Sequence, residues 1–213
     1  MPRPHQLLEL RVGAMPTAWS SAGFTVDDDI VVIDGVRIAL VGSLGRRGII
    51  SAAIAGAGDA IDGLGIHSPA PDHRSRPSPR PTGSAHPNGV TTIDHVVVAT
   101  GDCDRTTAAL QSMGIETRRT RQFDLAGIAQ RQTFFWLGDV ILELVGPAAP
   151  SAGAGPAEYW GLALQSADLD TTAAELGDRC TPPKSAVQPG RRITTIKTRD
   201  LGISTALAIM SPH

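Results

Sequence analysis

The chain has 213 residues, a formal net charge of −2 and a hydrophobic fraction of 41%. It is long enough for one large domain or two small ones, and it is apolar enough to bury a core. The charge excludes the basic excess of a nucleic-acid-binding domain, and no run of about 18 apolar residues suits a membrane span. We therefore expect neither nucleic acid nor a membrane as a partner.

The N-terminal sequence and the cysteines bear on the compartment. The stretch MPRPHQLLELRVG lacks the basic region, the apolar region and the small-residue cleavage site of a secretory leader. The two cysteines, Cys103 and Cys180, form no CxxC pair and no disulfide framework. These features predict a cytoplasmic protein with both thiols reduced.

Residues 1–66 are predicted to form an abbreviated βαββ unit. ELRVG indicates a strand, AMPTAWSSAG a short helix, and FTVDDDIVVIDGVRIALVG two strands joined at IDG. The apolar stretch GIISAAIAGAG is expected to add a strand. GSLGRRG (Gly42–Gly48) lacks the form of a phosphate loop, so we interpret it as a hairpin turn and expect no nucleotide cofactor.

Residues 67–89 separate this unit from the rest of the chain. The segment HSPAPDHRSRPSPRPTGSAHPNG is rich in Pro, Ser, Arg and His and offers almost nothing to bury. Such a composition cannot offset the entropy lost on ordering, so it predicts a flexible linker whose histidines are solvated.

Residues 90–213 are predicted to hold two βαβββ modules, at 90–147 and 158–213. In each, a β-branched run precedes a D-x-D break, and Asp104 and Asp170 are the predicted caps of the following helices. Three strands come next. They are expected near Ile115–Arg119, Arg131–Leu137 and Val140–Val145 in the first module, and near Ser185–Val187, Arg192–Thr198 and Thr205–Met210 in the second.

The two modules are similar in sequence. IDHVVVATGDCDRTTAAL (Ile93–Leu110) aligns with YWGLALQSADLDTTAAEL (Tyr159–Leu176), and VILELVGP (Val140–Pro147) aligns with TALAIMSP (Thr205–Pro212). Both matches occur in the same order at an offset of about 65 residues, which indicates an internal duplication.

These stretches resemble the glyoxalase, bleomycin-resistance and extradiol-dioxygenase group, the vicinal oxygen chelate superfamily. The resemblance is carried by IDHVVVATGDCD with His95, by ILELVGP with Glu143 and by the stretches of the second module that align with them. It implies an α+β fold in which tandem βαβββ modules form curved mixed sheets around a cleft. In metal-dependent members, that cleft holds a divalent ion on ligands from the first and last strands of each module.

His95 and Glu143 each interrupt an otherwise apolar strand face. Burying an imidazole or a carboxylate costs several kcal/mol unless the group is paired or ligated. We therefore predict that His95 and Glu143 are catalytic, either as ligands of Zn, Fe, Mn or Ni or as an acid–base pair. The alternatives are a structural hydrogen bond between them and a pair that is open to solvent at the mouth of the cleft.

The second module lacks this pair. Gly161 aligns with His95 and Ala208 aligns with Glu143, and neither can ligate a metal. The divalent-metal site is therefore incomplete in sequence. A nearby residue or a bidentate substrate would have to complete the ligand shell, and the residues within reach in the sequence are Gln165, Gln188 and Glu158.

Ligand-binding residues are predicted from QPGRRI (Gln188–Ile193) and from Trp160. Pro189–Gly190 indicates a turn, after which strand alternation sends one arginine to each face. An inward Arg191, near Gln188, could hold a carboxylate or a phosphate. The alternatives are a solvated arginine pair and a tryptophan that belongs to the core.

Three functions are compatible with these features. The first is an enzyme that binds a small oxygen-rich metabolite for a metal-assisted lyase, isomerase or dioxygenase reaction at His95 and Glu143. The second is a protein that binds or sequesters a small molecule without turnover, as resistance-type members of the group do. The third is a degenerate module kept for homodimerisation. A small-molecule ligand and a homodimer are the expected partners.

Overall fold

Strands predominate in the described residues, which are 5–42, 47–58, 60–69 and 86–212 of a computed structural model. Most of the predicted linker and the middle of the GSLGRRG turn lie outside these residues. None of the helices in the described part of the chain has the length and apolarity needed to cross a membrane.

The N-terminal unit is a four-stranded sheet in the order β2-β3-β1-β4. Its elements are β1 (Leu7–Gly13), α1 (Pro16–Ser21), β2 (Ile30–Ile33), β3 (Val36–Leu40) and β4 (Gly48–Ile54). The predicted βαββ unit and the added strand are both confirmed. Asp34 and Gly35 join β2 to β3 with φ angles of 47° and 82°, as a two-residue hairpin turn requires. A small hairpin, β5 (Ala60–Ile61) and β6 (Leu64–Gly65), follows.

The two predicted modules together form one eight-stranded sheet. Its elements are β7 (Val90–Ala99), α2 (Cys103–Ser112), β8 (Thr117–Leu125), β9 (Ile128–Leu137), β10 (Val140–Pro147), β11 (Glu158–Ser166), α3 (Leu169–Leu176), β12 (Lys184–Ser185), β13 (Arg192–Thr195) and β14 (Ala206–Met210). The order is β12-β13-β14-β11-β7-β10-β9-β8. The first strands, β7 and β11, pair antiparallel at the centre, and each last strand runs parallel beside its own first strand. The tandem βαβββ fold is confirmed.

The helix caps differ from the prediction by two residues. Asp102 and Asp168, not Asp104 and Asp170, accept hydrogen bonds from the first free N–H groups of α2 and α3. The middle residue of each D-x-D, Cys103 or Leu169, is buried and already helical. The aspartate that caps each helix is therefore the one before the buried residue.

The β8–β9 hairpin is longer than the sequence indicated. Strand pairing continues beyond the predicted ends at Arg119 and Arg131 to a turn at Ala126 and Gly127, both with positive φ. The intervening residues are mostly exposed, and their large apolar side chains, Phe123, Leu125 and Ile128, are too few to give the sustained alternation by which a strand is recognised.

One face of the eight-stranded sheet is core and the other is polar at its centre. Val96, Val98, Leu142 and Leu144 are at most 1% exposed and belong to a single apolar cluster that also includes side chains of the N-terminal sheet. Strand alternation then places His95 and its neighbours on the opposite face. The thiols of both cysteines are buried and unbridged.

Both ends of the predicted linker are held by the folded protein. His67 and His86 are largely buried, so the prediction of solvated histidines is wrong for these two. The backbone N–H of Thr25 donates to Nδ1 of His86, whose Nε2 donates to the carbonyl of Val32, each at 3.1 Å. Burial lowers the pKa of His86 despite the opposing hydrogen bond to Val32, so the ring is neutral at pH 7. Composition alone could not reveal these partners, because they lie far away in the sequence.

Candidate functional site

His95 and Glu143 converge on the polar face of the eight-stranded sheet. Strands β7 and β10 are parallel neighbours, and their register pairs Ile141 with His95 and Glu143 with Val97. Nε2 of His95 lies 3.3 Å from Oε2 of Glu143, and their side chains are 13% and 11% exposed. The structure thus brings together the two residues predicted to carry the chemistry.

A bulge in β7 brings a third group to this pair. The β7–β11 register passes from His95 opposite Ala163 to Ile93 opposite Leu164, which leaves Asp94 as an extra residue. A bulge re-aims a side chain, and here Oδ1 of Asp94 lies 2.8 Å from Nδ1 of His95. Sequence reasoning missed Asp94, although an acidic residue directly before the histidine was a visible signal.

Arg191 holds the other oxygen of Asp94. Its Nη1 lies 2.8 Å from Oδ2 of Asp94, and its Nε and Nη2 donate to the carbonyl of Ser211 at 3.0 and 2.8 Å. Arg191 is only 4% exposed, so the interpretation as a solvated arginine pair is wrong for it. Arg192 is the exposed partner of Asp170. The predicted ligand contact of Arg191 gains no support from this placement.

His95 and Arg191 determine the charge of Asp94. Burial alone would raise the pKa of this carboxyl group. The hydrogen bonds and positive charges of His95 and Arg191 outweigh burial and hold the pKa below its ordinary value of 3.8. Asp94 is therefore ionised at neutral pH.

The lowered pKa of Asp94 predicts acid sensitivity. Because the folded state favours the ionised form, Asp94 contributes stability above its ordinary pKa of 3.8 and loses it as the pH falls through the folded-state pKa. Urea unfolding of wild type and Asp94→Asn, from acidic to neutral pH, measures the contribution of ionised Asp94 to the free energy of unfolding. The stability difference should be constant near neutrality and should shrink in acid. A constant difference at every pH would contradict the assignment.

Glu143 is linked to the edge of the sheet through Gln132. Nε2 of Gln132 donates to Oε1 of Glu143, and Nε of Arg121 donates to Oε1 of Gln132. A continuous polar chain therefore joins four strands, β7, β10, β9 and β8, to Arg191, which directly precedes β13. Its members are Arg191, Asp94, His95, Glu143, Gln132 and Arg121. Such a connected network satisfies buried polar groups and fixes their orientation.

Three arginines of β8 lie over aromatic rings of β9. The guanidinium carbons of Arg118 and Arg119 are 4.2 and 5.0 Å from the ring centroids of Trp136 and Phe134, and that of Arg121 is 5.9 Å from Phe134. Within the described ranges, none of the three forms an ion pair with a carboxylate. Sequence reasoning missed this cluster, for which the stretch TRRTRQF was the available signal.

The strand registers confirm the alignment of the two modules. Ala206 pairs with Gly161 in the second module as Ile141 pairs with His95 in the first. Ala208 likewise pairs with Ala163 as Glu143 pairs with Val97. Gly161 and Ala208 therefore occupy the positions that correspond to His95 and Glu143.

Gly161 cannot simply regain a side chain. A Cβ at this position would lie 2.7 Å from the carbonyl oxygen of Ala206 and 3.0 Å from its Cβ. Strand β14 would have to move to admit any larger residue. Position 161 therefore lacks a ligating side chain, and the packing of Ala206 leaves no room for one.

The residues present do not fit a metal ion held by the protein alone. A separation of 3.3 Å between Nε2 of His95 and Oε2 of Glu143 suits two ligands of one ion, since each bond would be about 2.0–2.2 Å long. A catalytic ion, however, generally takes three protein ligands. No group of three or more His, Cys, Asp and Glu side chains within the described residues could hold one.

The other predicted site residues do not complete a ligand shell. Oε1 of Gln165 accepts from Nη2 of Arg191 at 3.4 Å, and the carbonyl of Gln188 accepts from the N–H of Arg191. Glu158 is exposed at the end of β11 that pairs with Ala99. Trp160 is the extra residue of a second bulge and is 63% exposed, so it is not part of the core.

No protein-family model matches the chain, and no curated protein matches it. Several solved structures do. A variant of 4-hydroxymandelate synthase from Streptomyces coelicolor is 13% identical with a TM-score of 0.62, and the match covers 99% of this chain and 93% of that one. A variant of homoprotocatechuate 2,3-dioxygenase from B. fuscum in complex with HPCA is 14% identical with a TM-score of 0.58, covering 99% of this chain and 72% of that one.

A catechol 2,3-dioxygenase is also similar, at 12% identity and a TM-score of 0.55 over 97% of this chain and 88% of that one. These likenesses span the N-terminal unit as well as the two modules. The chain therefore has the fold of the vicinal oxygen chelate superfamily, as its duplicated βαβββ modules implied.

Proposed function

We propose that the protein binds a small anionic, oxygen-rich metabolite on the polar face of the eight-stranded sheet and transfers a proton at His95 and Glu143. The observation that carries this proposal is the convergence of these two side chains, at 3.3 Å, beside arginines that have no carboxylate partner among the described residues. Guanidinium groups bind carboxylates and phosphates in a bidentate manner, so Arg119 and Arg121 favour an anion.

The contacts of His95 suit acid–base chemistry. Asp94 is ionised, so it accepts a hydrogen bond from Nδ1–H and fixes the orientation of the ring. Nε2 then faces Glu143. A proton between Nε2 and Oε2 can pass to or from an acidic C–H or O–H group of a ligand beside the pair. This isomerase- or lyase-type reaction uses the side chains present and needs no protein-held ion.

Binding without turnover is the second candidate. It is favoured because both oxygens of Glu143 already have protein partners and because Gly161 and Ala208 replace half of the ligand positions that the fold provides. The dioxygenase of the same fold in complex with HPCA supports a small-molecule ligand under either candidate.

A thermal-shift screen, followed by calorimetry, tests the binding step. The panel contains small carboxylates, hydroxy acids and phosphates, each matched with its neutral amide or alcohol. We expect an anionic member to raise the melting temperature by mass action. Arg121→Gln should lower the affinity for that ligand about tenfold or more, since the substitution removes a charge-assisted hydrogen bond. Arg199→Gln, an exposed arginine elsewhere, is the matched control. Equal affinities in the two variants would refute the proposed site.

Deuterium exchange distinguishes proton transfer from simple binding. The bound ligand is incubated in D₂O with wild type, His95→Ala or Glu143→Gln, and NMR follows its acidic C–H. We expect exchange with wild type, loss of exchange in both variants, and no effect of a chelator. Binding without exchange in wild type would leave sequestration as the function. Exchange that disappears with the chelator would contradict the metal-free chemistry.

A further inference from the structure

The N-terminal sheet carries its own polar cluster at the position that His95 occupies in the larger sheet. Arg37 of β3 pairs with Glu9 of β1 in the parallel register in which Ile141 pairs with His95. Glu9 therefore corresponds to His95, on the sheet face opposite the apolar core. This cluster is separate from the candidate site of the eight-stranded sheet.

Glu9 is the centre of the cluster and is only 2% exposed. Its Oε2 accepts from Nε of Arg37 at 3.3 Å, and its Oε1 lies 3.1 Å from Nε2 of His67 and 3.6 Å from Nε of Arg11. Nδ1 of His67 lies 2.9 Å from Oγ of Ser51 on β4. One buried carboxylate thus holds two guanidinium groups and an imidazole in place.

The hydrogen-bond directions follow from the state of His67. Burial lowers the pKa of His67, and the nearby charge of Arg11 acts in the same direction, although the hydrogen bond and charge of Glu9 oppose them. The neutral ring donates from Nε2 to Glu9 and accepts at Nδ1 from the hydroxyl of Ser51. Each of these side chains is therefore orientated by the next.

A cavity of about 720 Å³ adjoins this cluster, within the range of about 300–1,000 Å³ that is common for small-molecule sites. Its polar lining comes from the cluster itself. Its apolar lining comes from Ala39, Val41, Ile50 and Ile66. The lining thus combines cationic and hydrogen-bonding groups with apolar side chains that suit a hydrocarbon body.

Arg11 and Arg37 retain donors that face no protein partner. Each approaches Glu9 through Nε, and the side chains are 45% and 24% exposed. Within the described part of the chain, their terminal Nη groups form no hydrogen bond or ion pair. Two guanidinium groups against one carboxylate leave a positive excess at the cavity, which favours an anion.

We propose that this cavity is a second ligand site, which binds a small carboxylic acid with an apolar body. The carboxylate lies between the Nη groups of Arg11 and Arg37, and the apolar body packs against Ala39, Val41 and Ile66. Glu9, His67 and Ser51 position the two arginines and the cavity edge. This site is independent of the chemistry at His95 and Glu143.

Amide chemical shifts of the ¹⁵N-labelled full chain test the proposal, with benzoate as the probe and benzamide as its neutral match. We expect saturable shifts at residues of β1, β3 and β4 with benzoate and much weaker ones with benzamide. Arg11→Gln should weaken binding about tenfold, as the loss of a charge-assisted hydrogen bond does. Ala39→Phe should also weaken it, because the ring would occupy the apolar part of the cavity where the ligand body packs, while every charge is kept.

The controls separate this site from the proposed function. Arg199→Gln should leave the shifts at β1, β3 and β4 unchanged, and Arg121→Gln should leave these same shifts unchanged whatever it does at the larger sheet. The dispersion of each spectrum reports whether a variant is folded. Absent shifts at these strands, equal responses to benzoate and benzamide, or undiminished binding in folded Arg11→Gln or Ala39→Phe would overturn the second site.

Discussion

Replacing Arg191 with methionine is expected to destabilise the protein by about 3–5 kcal/mol, the usual cost of removing one partner from a buried ion pair. The guanidinium lies 2.8 Å from Oδ2 of Asp94, and both side chains are at most 8% exposed. It also donates two hydrogen bonds to the carbonyl of Ser211. The substitution would therefore leave a buried carboxylate with weaker compensation and a backbone carbonyl without these donors.

The neighbouring arginine provides a matched control. Arg192 pairs with Asp170 at the same distance of 2.8 Å, but their side chains are 45% and 70% exposed. Exposed ion pairs contribute little to stability, so Arg192→Met should leave the urea midpoint nearly unchanged. Urea unfolding followed by circular dichroism compares the two variants. Similar midpoints for both would show that the buried pair does not stabilise the fold.

Asn88→Ala is expected to cost about 1–3 kcal/mol, because the buried carbonyl of Ala22 loses its hydrogen bond from the Asn88 side chain. Asn88 is fully buried. Its Nδ2 donates to the carbonyl of Ala22 at 2.8 Å, and its Oδ1 accepts from the N–H of Val90 at 3.1 Å. The side chain thus joins the N-terminal unit to the first strand of the larger sheet.

Thermal and urea unfolding measure this effect, and Gln111→Ala is the control. Gln111 also makes a side-chain hydrogen bond, to Oγ1 of Thr117 at 3.3 Å, but it is exposed on α2. Its removal should change stability by no more than about 0.5 kcal/mol. If Asn88→Ala were equally mild, the two sheets would not depend on this residue for their attachment.

The larger architecture and the central pair could be predicted because their signals are local. Strand alternation places His95 and Glu143 on one face of each strand, and the duplicated pattern indicates that these strands open and close the same module. The same alignment locates Gly161 and Ala208, and the observed register agrees with it. These features depend on sequence periods of two and about 65 residues, which need no tertiary information.

The partners of that pair could not be predicted in the same way. Asp94 meets His95 because a register shift between strands of different modules turns both side chains together. Arg191 reaches Asp94 from the second module, and Arg121 joins through Gln132 from the edge strand. Such contacts depend on hydrogen-bond register between strands that are distant in the sequence.

Patterns in the amino-acid sequence were enough to predict the duplicated βαβββ plan, the strands that carry His95 and Glu143, and the absence of their counterparts in the second module. The packed fold was needed to show that Arg191 is buried rather than solvated, that His67 and His86 are held by the fold, and that Glu9 contacts its partners beside a cavity. Strand and helix patterns follow from neighbouring residues, whereas burial and ion pairing depend on which distant segments pack together.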